Sequence, residues 1–355
     1  MIAKDTGKAV APDTIQSITI EGFKSIRSIK DFPLRPINLL IGLNGSGKSN
    51  FLEAFVLLGE ASEGRMDSYV TYHGGADKLL HFGSKTTQKI RVFIESSTGF
   101  NLDANYRYTT IDSLARNVAG DSLAGIVARG GLETKGLSFN RYRFHDTGDD
   151  SPLKKTNDLH NNRSLTRLGG NLAAFLYLLS QRHRESYIRI RDVVRQVAPF
   201  FDEFLLAPLA LNPDKIKLEW RHRNHRNSDA YFDASAFSDG TLRFIALATL
   251  FLQPKELRPS VILVDEPELG LHPYAIGLLA SLIREVSKET QVIAATQSSL
   301  LLDYFDPEDV LVADLVDDAT TIRRLEAERL AEWLNDYSLG QLWEKGELEE
   351  IPVSE

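Results

Sequence analysis

The sequence predicts an α/β protein built on a mixed, mainly parallel β-sheet, with an N-terminal antiparallel sheet and an α+β insertion. Two observations lead to this fold class. Apolar runs without polar alternation, at Ile37–Ile41, 261–264 and Gln291–Ala295, are typical of parallel strands that are buried on both faces. Helical patterns at 51–58 and 274–288 follow two of these runs, as units of strand, helix and parallel strand require.

Length and composition limit the class of protein. The chain has 355 residues, so we expect one large multi-lobed domain or two domains. It has no cysteine, which excludes disulfides and thiolate metal sites and fits a cytoplasmic protein. No apolar run reaches membrane-spanning length, so no membrane partner is expected. The net charge is −8, so any contact with nucleic acid requires a local basic patch.

The N-terminal part predicts a small antiparallel sheet that precedes the first buried strand. Residues 1–14 resemble a mobile polar tail. Residues 14–20 and 89–95 alternate between apolar and polar side chains, as half-buried strands do, and a short strand begins near Ile26. We therefore assign residues 15–98 to the first half of the main domain.

The remainder divides into an inserted lobe, 99–230, and a second half of the main domain, 231–355. In the lobe, 137–144 is the clearest strand, 165–206 is helical, and 216–220 returns to strand. In the C-terminal part, we expect a helix at 242–251, two short strands within 308–325 and an acidic helical tail from Glu326.

The first buried strand runs directly into a glycine-rich loop and then a helix. Residues 42–49, Gly-Leu-Asn-Gly-Ser-Gly-Lys-Ser, fit the pattern G-x-x-x-x-G-K-[ST] of a P-loop NTPase. The glycines let backbone amides approach a phosphate, and the helix adds the positive end of its dipole. Lys48 is expected to reach the β- and γ-phosphates, and Ser49 to ligate Mg²⁺. The expected nucleotide-binding residues are Asn44, Gly45, Ser46, Gly47, Lys48, Ser49 and Asn50.

Two carboxylates end the strand at 261–264. Because the carboxyl ends of parallel strands meet at one edge of a sheet, Asp265 is expected to hold Mg²⁺ beside the P-loop. Glu266 then lies where it can polarise a water molecule for attack on the γ-phosphate. A second anion-binding helix start is predicted where Ser238 caps a helix and Gly240 permits close backbone approach. On this stretch alone, an ordinary capped helix is the better explanation.

Four stretches together resemble the ABC-type ATPase head of the SMC/RecF class: 42–49 (Walker A), 237–243 (signature), 261–266 (Walker B) and 267–273 (D-loop). The chain resembles most closely the stand-alone prokaryotic ATPases related to OLD (overcoming lysogenisation defect). The resemblance implies that two heads form a homodimer head to tail around ATP and Mg²⁺. Ser238 and Gly240 of one chain would contact the γ-phosphate held by the other, and hydrolysis by Glu266 would release the dimer.

Two positions differ from that pattern. The class usually has a histidine after the strand that follows Walker B, whereas this chain has Gln297, which can donate a hydrogen bond but cannot take a proton. Gln297 is therefore a catalytic candidate with an effect on the hydrolysis rate. The glutamine of the Q-loop, a metal-site residue, has no clear match. Gln88 is at a suitable distance in sequence, and an exposed strand residue is an equally good interpretation.

The partner remains open between two classes. DNA is one candidate, through Arg221, Arg223 and Arg226 or through a predicted helix that carries Arg182, Arg189, Arg191 and Arg195. The alternative for both stretches is pairing with neighbouring acids or a solvated loop. The first function is an ATP-driven dimeric switch in DNA repair or antiphage defence. The second is a regulatory ATPase that controls a separate effector protein, such as a nuclease or toxin, without binding DNA.

Overall fold

The structure, a computed structural model, describes residues 14–116, 139–225 and 230–350, without the side chains of 349 and 350. The predicted tail at 1–14 lies outside these residues, except for Thr14. No helix in the described ranges is long and apolar enough to span a membrane.

The central sheet contains the three predicted apolar strands. Its described strands are β3 (Ile37–Ile41), β7 (Arg141–Tyr142), β14 (Val261–Asp265), β15 (Gln291–Ala295), β16 (Val310–Val316) and β17 (Ala319–Arg324). Their order is β17-β16-β3-β15-β14-β7, and every neighbouring pair is parallel except β16 and β17. The predicted α/β class with a mixed sheet is confirmed.

The N-terminal antiparallel sheet is also confirmed, and it extends further than predicted. Its described strands are β1 (Ile15–Phe23), β2 (Ile26–Pro33), β4 (Lys89–Ser96), β5 (Asn101–Tyr108) and β6 (Leu114–Arg116), in the order β2-β1-β4-β5-β6. The predicted division of the chain at residue 99 therefore falls inside one hydrogen-bonded hairpin, because β4 and β5 pair with each other.

The apolar strands face two separate cores. Leu39 and Val264 pack in a core with α3 (Leu172–Arg182), α4 (Arg184–Val197), α5 (Asp239–Leu252) and α6 (Pro273–Val286). Leu40 and Leu263 point the other way, into a core with α1 (Lys48–Ser62), α2 (Met66–Tyr72) and the antiparallel sheet. Alternate residues of each strand thus serve different layers, which explains why the runs are apolar throughout.

The inserted lobe departs from the predicted elements. The helical stretch at 165–206 consists of two helices, because His183 has non-helical φ and ψ, and α4 ends before Pro199. Its last residues form a strand instead of a helix. Two small sheets complete the lobe: β10-β11-β8 and β13-β12-β9, with β8 (Asn157–Asp158), β9 (Phe201–Leu205), β10 (Pro208–Leu209), β11 (Asn212–Ile216), β12 (Glu219–His222) and β13 (Phe232–Asp233).

Two predicted strands differ from the strands in the structure. The stretch 216–220 is divided between β11 and β12 in different sheets, although Ile216, Leu218 and Trp220 are all buried. Of the stretch 137–144, whose first two residues lie outside the described ranges, only Arg141–Tyr142 forms a strand. The alternation of apolar residues reports burial on one face and does not specify a pairing partner. The tail beyond Glu326 is helical in short pieces: α8 (Ala327–Leu330), α9 (Leu339–Glu344) and α10 (Glu347–Glu350), after α7 (Ser299–Leu302).

Candidate nucleotide-binding site

Three parallel strands bring the predicted site residues to one edge of the central sheet. The P-loop follows β3, Asp265 ends β14, and Gln297 follows β15. In the register, Asp265 is opposite Ala295, and Ala295 is opposite Leu40. β15 therefore lies between the P-loop strand and the Walker B strand, so Gln297 emerges between the phosphate loop and the two carboxylates.

The three glycines of the P-loop are required for different structural reasons. Gly42, Gly45 and Gly47 all have positive φ. A Cβ on Gly42 would collide with the Ala313 carbonyl, and one on Gly47 would collide with Thr320. A Cβ on Gly45 would meet no atom within 4 Å, and Gly45 and Asn44 are exposed. Two glycines thus allow tight packing beneath the loop, whereas Gly45 keeps its outer surface open.

Lys48 lies inside the loop. Its Nζ donates hydrogen bonds to the carbonyls of Gly42 (2.7 Å) and Leu43 (2.9 Å). Burial lowers the pKa of Lys48, and the nearby carboxylates of Glu266, Asp265 and Glu268 oppose this shift. The same carboxylates therefore favour the charged ammonium in a mainly desolvated position.

The loop has an unused buried donor. The hydroxyl of Ser46 is buried and has no hydrogen-bond partner in the described part of the chain. Buried polar atoms are normally satisfied, and the loop amides at the start of α1 can donate to a phosphate oxygen. The residues present therefore fit a nucleotide phosphate.

Thr320, which was not among the predicted residues, supports the loop from β17. Its hydroxyl donates to the Ser46 carbonyl (2.8 Å) and lies 2.7 Å from the Ser25 hydroxyl, to which the Asn50 amide donates (2.7 Å). Because the Thr320 hydrogen is used on Ser46, the Ser25 hydroxyl donates to Thr320. The predicted nucleotide-binding residue Asn50 is thus part of a hydrogen-bond chain that ends at the P-loop.

The predicted Walker B pair lies at the end of β14. Asp265 is buried, and Glu266 follows with a φ of 43°, an uncommon value for a residue with a side chain. The backbone N–H of Glu266 donates to the Ala295 carbonyl (2.8 Å), and the side-chain amide of Gln297 donates to Glu266 Oε1. The structure thus brings Glu266 and Gln297 together. Backbone strain such as the positive φ of Glu266 is concentrated at functional sites.

Ser49 and Asp265 are the two residues that fit Mg²⁺ here. Within the described ranges, no group of three or more acidic or histidine side chains has the spacing of a metal site. Mg²⁺ is commonly held by one or two protein oxygens together with substrate phosphates and water. A hydroxyl from the P-loop and one carboxylate at the strand end match that donor set.

Glu268 is a further site residue that sequence patterns did not identify. Glu268 is buried. Its Oε1 accepts a hydrogen bond from the backbone N–H of Gln297 (3.1 Å), and its Oε2 has no partner among the described residues. Burial raises the pKa of Glu268, with Glu266 adding to the shift. Its neighbourhood to Asp265 and Glu266 in sequence was the only available signal.

Arg141 reaches the same helix start from β7. Its Nη1 donates to the Ser49 carbonyl (3.2 Å) and lies 3.1 Å from a Glu53 carboxyl oxygen. Glu53 also accepts from the Tyr69 hydroxyl (2.9 Å). An arginine on β7 of the central sheet therefore fixes the first turn of α1, and no sequence motif marks it.

The predicted signature segment forms the capped start of α5. Ser238 caps α5: its hydroxyl accepts from the Thr241 amide (3.2 Å), and Ser238 is exposed. A Cβ on Gly240 would collide with the Gly270 carbonyl, so the first turn of α5 packs tightly on the D-loop. Across the described residues, no hydrogen bond or ion pair connects Ser238 or Gly240 with residues 42–49.

Gln88 is exposed, and its amide donates to the Ser84 carbonyl rather than to any site residue. Its assignment to the Q-loop stays a prediction.

The basic stretches are largely neutralised. Arg189 pairs with Glu285, Arg191 with Glu203, and Arg195 and Arg221 with Asp202. Arg182, Arg184 and Arg223 are exposed and have no ion pair within the described ranges, and Arg226 lies outside those ranges. The free positive charge is therefore smaller than the sequence suggests.

Comparisons with known proteins agree with this geometry. A family model described as "AAA domain, putative AbiEii toxin, Type IV TA system" matches residues 130–303, and one described as "AAA ATPase domain" matches residues 14–114. No curated protein matches the sequence.

Solved structures of SMC heads share the fold. An SMC head bound to the C-winged helix domain of ScpA has a TM-score of 0.60 and 18% identity, and covers 90% of this chain and 99% of its own. A head from Pyrococcus furiosus, bound to the C-terminal domain of ScpA, has a TM-score of 0.58, 18% identity and coverages of 91% and 99%. One from Pyrococcus yayanosii has a TM-score of 0.57, 13% identity and the same coverages. The fold of the SMC heads is thus confirmed for this chain, and the AAA matches support an ATP-binding ATPase.

Proposed function

We propose that this chain is an OLD-like ATPase that binds and hydrolyses ATP with Mg²⁺ and dimerises head to tail around the nucleotide. The observation that carries the proposal is the division of the site. The P-loop, Glu266 and Gln297 come together at one sheet edge, whereas Ser238 at the capped start of α5 is exposed and, among the described residues, makes no hydrogen bond or ion pair with the P-loop of its own chain. A second copy supplies that helix start to the nucleotide.

Each site residue then has one role. The amides of 44–49 and the Lys48 ammonium hold the phosphates, and Ser49 and Asp265 hold Mg²⁺, which neutralises phosphate charge when bound. Glu266 orients the attacking water. The side-chain amide of Gln297 donates a hydrogen bond to Oε1 of Glu266, so that the carboxylate keeps one orientation. Ser238 and Gly240 of the second copy close the site with the N-terminus of α5.

Mixing two inactive variants tests the shared site. Lys48→Ala removes phosphate binding, and Ser238→Arg blocks the signature surface, so each variant alone is expected to lose hydrolysis. In a mixture, half of the dimers are hetero-dimers, and each has one intact site, so about a quarter of the wild-type rate is expected. Ser235→Arg, a neighbouring exposed serine, is the matched control. A mixture that recovers neither hydrolysis nor ATP-dependent association contradicts the shared site.

We propose further that the switch acts in DNA repair or antiphage defence, with DNA contacted through Arg182, Arg184 and Arg223. These arginines are exposed and have no ion pair in the described residues. Reversal of all three to Glu is expected to abolish salt-dependent binding to a short duplex, because phosphate contacts supply most nonspecific affinity. Reversal of the exposed Lys30, Lys85 and Lys255 is the control with an equal charge change. Equal loss in both variants contradicts a specific patch.

The second candidate is a regulatory ATPase that controls a separate effector protein. The pairing of Arg189, Arg191, Arg195 and Arg221 with acids favours it, because these side chains are not free for phosphates. Two of the similar SMC heads are bound to a domain of another protein, ScpA. Absence of duplex binding by the wild type at low salt contradicts the DNA function and leaves the effector function.

A further inference from the structure

A histidine of the inserted lobe, His145, contacts the end of the Walker B strand. Its Nε2 lies 2.9 Å from the Asp265 carbonyl, and its Nδ1 accepts a hydrogen bond from Arg143 Nε (3.0 Å). A carbonyl oxygen only accepts, so Nε2 carries the hydrogen and donates to Asp265. The two contacts therefore fix one tautomer and one orientation of the ring.

The contact acts on the peptide that joins Asp265 to Glu266. The carbonyl of this peptide accepts a hydrogen bond from His145. Its N–H, which belongs to Glu266, donates to the Ala295 carbonyl (2.8 Å). This peptide leads directly into the positive φ of Glu266. A strained residue keeps its conformation only when the surrounding contacts determine it, and these two hydrogen bonds do so from opposite sides.

His145 also borders the second oxygen of Glu266. The His145 Nε2 lies 3.9 Å from Glu266 Oε2, which is beyond hydrogen-bond distance, while Gln297 holds Oε1. The carboxylate is thus enclosed between a hydrogen-bonded oxygen and an oxygen that faces the imidazole. A cavity of about 10 Å³, close to the size of one water molecule, is bordered by His145, Arg243 and Glu266.

Arg243 of the signature segment fixes the main chain around His145. Its guanidinium donates to the carbonyls of Phe144 (3.2 Å) and His145 (2.8 Å), to the Thr147 hydroxyl (3.2 Å) and to the Leu269 carbonyl (3.0 Å). Four bonds from one planar group require arginine, because a lysine ammonium has only three donors and no fork. A Cβ on Gly270 would collide with this guanidinium. The signature helix, the D-loop and the His145 segment therefore form one hydrogen-bonded unit.

We infer that His145 is a positioning residue for Asp265 and Glu266, and that Arg243 couples it to the start of the signature helix. When the start of α5 binds nucleotide held by a second copy, the resulting change in the position of this helix start is transmitted through Arg243 and His145. It reaches the Walker B carboxylates of the chain that contributes the helix. The inference rests on the proposed ATPase function, since it assigns a control path to that site. It gives the inserted lobe a role in setting the hydrolysis rate.

Steady-state kinetics of His145→Ala and His145→Gln test the inference. The alanine variant is expected to lower kcat by about 10- to 100-fold, because a misplaced Glu266 loses its alignment, with KM changed by less than about threefold. Glutamine retains a donor near the position of Nε2 and is expected to restore kcat to within about threefold of the wild type. His160→Ala, at an exposed histidine that pairs with Asp214 on the surface, is the matched control.

Hydrogen–deuterium exchange of the nucleotide-free protein gives a readout that does not depend on hydrolysis. His145→Ala and Arg243→Lys are expected to speed exchange at the amides of Glu266, Leu269 and Leu271, which donate to the carbonyls of Ala295, Glu266 and Glu268, and His160→Ala is not. If the wild type fails to hydrolyse ATP, the proposed function fails, while exchange still reports on His145. Unchanged exchange in both variants overturns the inference. So does an equal loss of kcat in the alanine and glutamine variants.

Discussion

At the scale of single residues, Glu268 keeps a carboxyl group in a buried position. It is buried beside the P-loop lysine, and one of its oxygens has no partner in the described chain. Burial raises its pKa above the ordinary value of 4.5. A carboxyl whose pKa is raised by folding contributes stability below its unfolded pKa and loses that contribution as the pH rises through its folded pKa.

Glu268→Gln is therefore expected to increase the free energy of unfolding at about pH 8, with a difference from wild type that shrinks as the pH falls to about 4. The side-chain carbonyl of the introduced glutamine can still accept a hydrogen bond from the backbone N–H of Gln297, so the turn is retained. Urea denaturation across this pH range measures the effect, and the exposed Glu332→Gln is the control. A Glu268→Gln protein that is less stable at high pH would show that the charged form is favoured.

The residues that were predictable from sequence follow local rules. Gly42, Lys48 and Ser49 have positions set by one loop pattern, and Asp265 has a position set by the end of one apolar strand. Thr320, Ser25 and Arg141 could not be predicted, because their contacts join residues far apart in the chain. The Ser25–Thr320 contact spans 295 positions and the Arg141–Ser49 contact spans 92. No local pattern encodes such pairs.

At the scale of elements, the antiparallel hairpin of β16 and β17 supports the P-loop from below. Thr320 on β17 holds the Ser46 carbonyl and the Ser25 hydroxyl, and its amide donates to the Ser25 carbonyl (2.8 Å). The turn between β1 and β2, the strand β17 and the P-loop are thus connected by one buried hydroxyl.

Thr320→Val, which keeps the shape and removes the hydroxyl, is expected to destabilise the protein by about 1–3 kcal/mol, because buried polar groups lose their partner. Nucleotide affinity is expected to fall as well, since Ser46 loses its support. The adjacent Thr321→Val, at an exposed side chain, is the matched control. Urea denaturation and binding of a fluorescent ATP analogue measure the two effects. Equal behaviour of the two variants would contradict the supporting role.

Errors in the predicted elements have a common cause. The strand at 216–220 and the helical stretch at 165–206 were predicted from periodicity, and the buried residues Ile216, Leu218 and Trp220 do alternate. Which strand pairs with which was decided by partners elsewhere: β11 pairs with β8 and β10, and β12 with β9 and β13. By contrast, the buried strands of the central sheet were predicted well, because an uninterrupted apolar run has few alternative positions.

At the scale of the whole molecule, the proposed site is completed only in a dimer. One chain contains the P-loop, the Walker B pair and Gln297 at one edge, and presents the capped start of α5 separately. A ligand that binds the dimer better than the monomer shifts the equilibrium towards the dimer by its differential affinity. In the proposed switch, ATP is that ligand, and hydrolysis aided by Glu266 would set the lifetime of the dimer.

The solution mass of Glu266→Gln, measured with and without Mg-ATP, tests this central claim most directly. The substitution keeps the size of the side chain and removes the carboxylate that orients water, so ATP is bound and not consumed. The expected result is a mass of 39.7 kDa without nucleotide and twice that value with Mg-ATP. A mass that stays at one chain in saturating Mg-ATP, with nucleotide bound, would contradict the head-to-tail dimer.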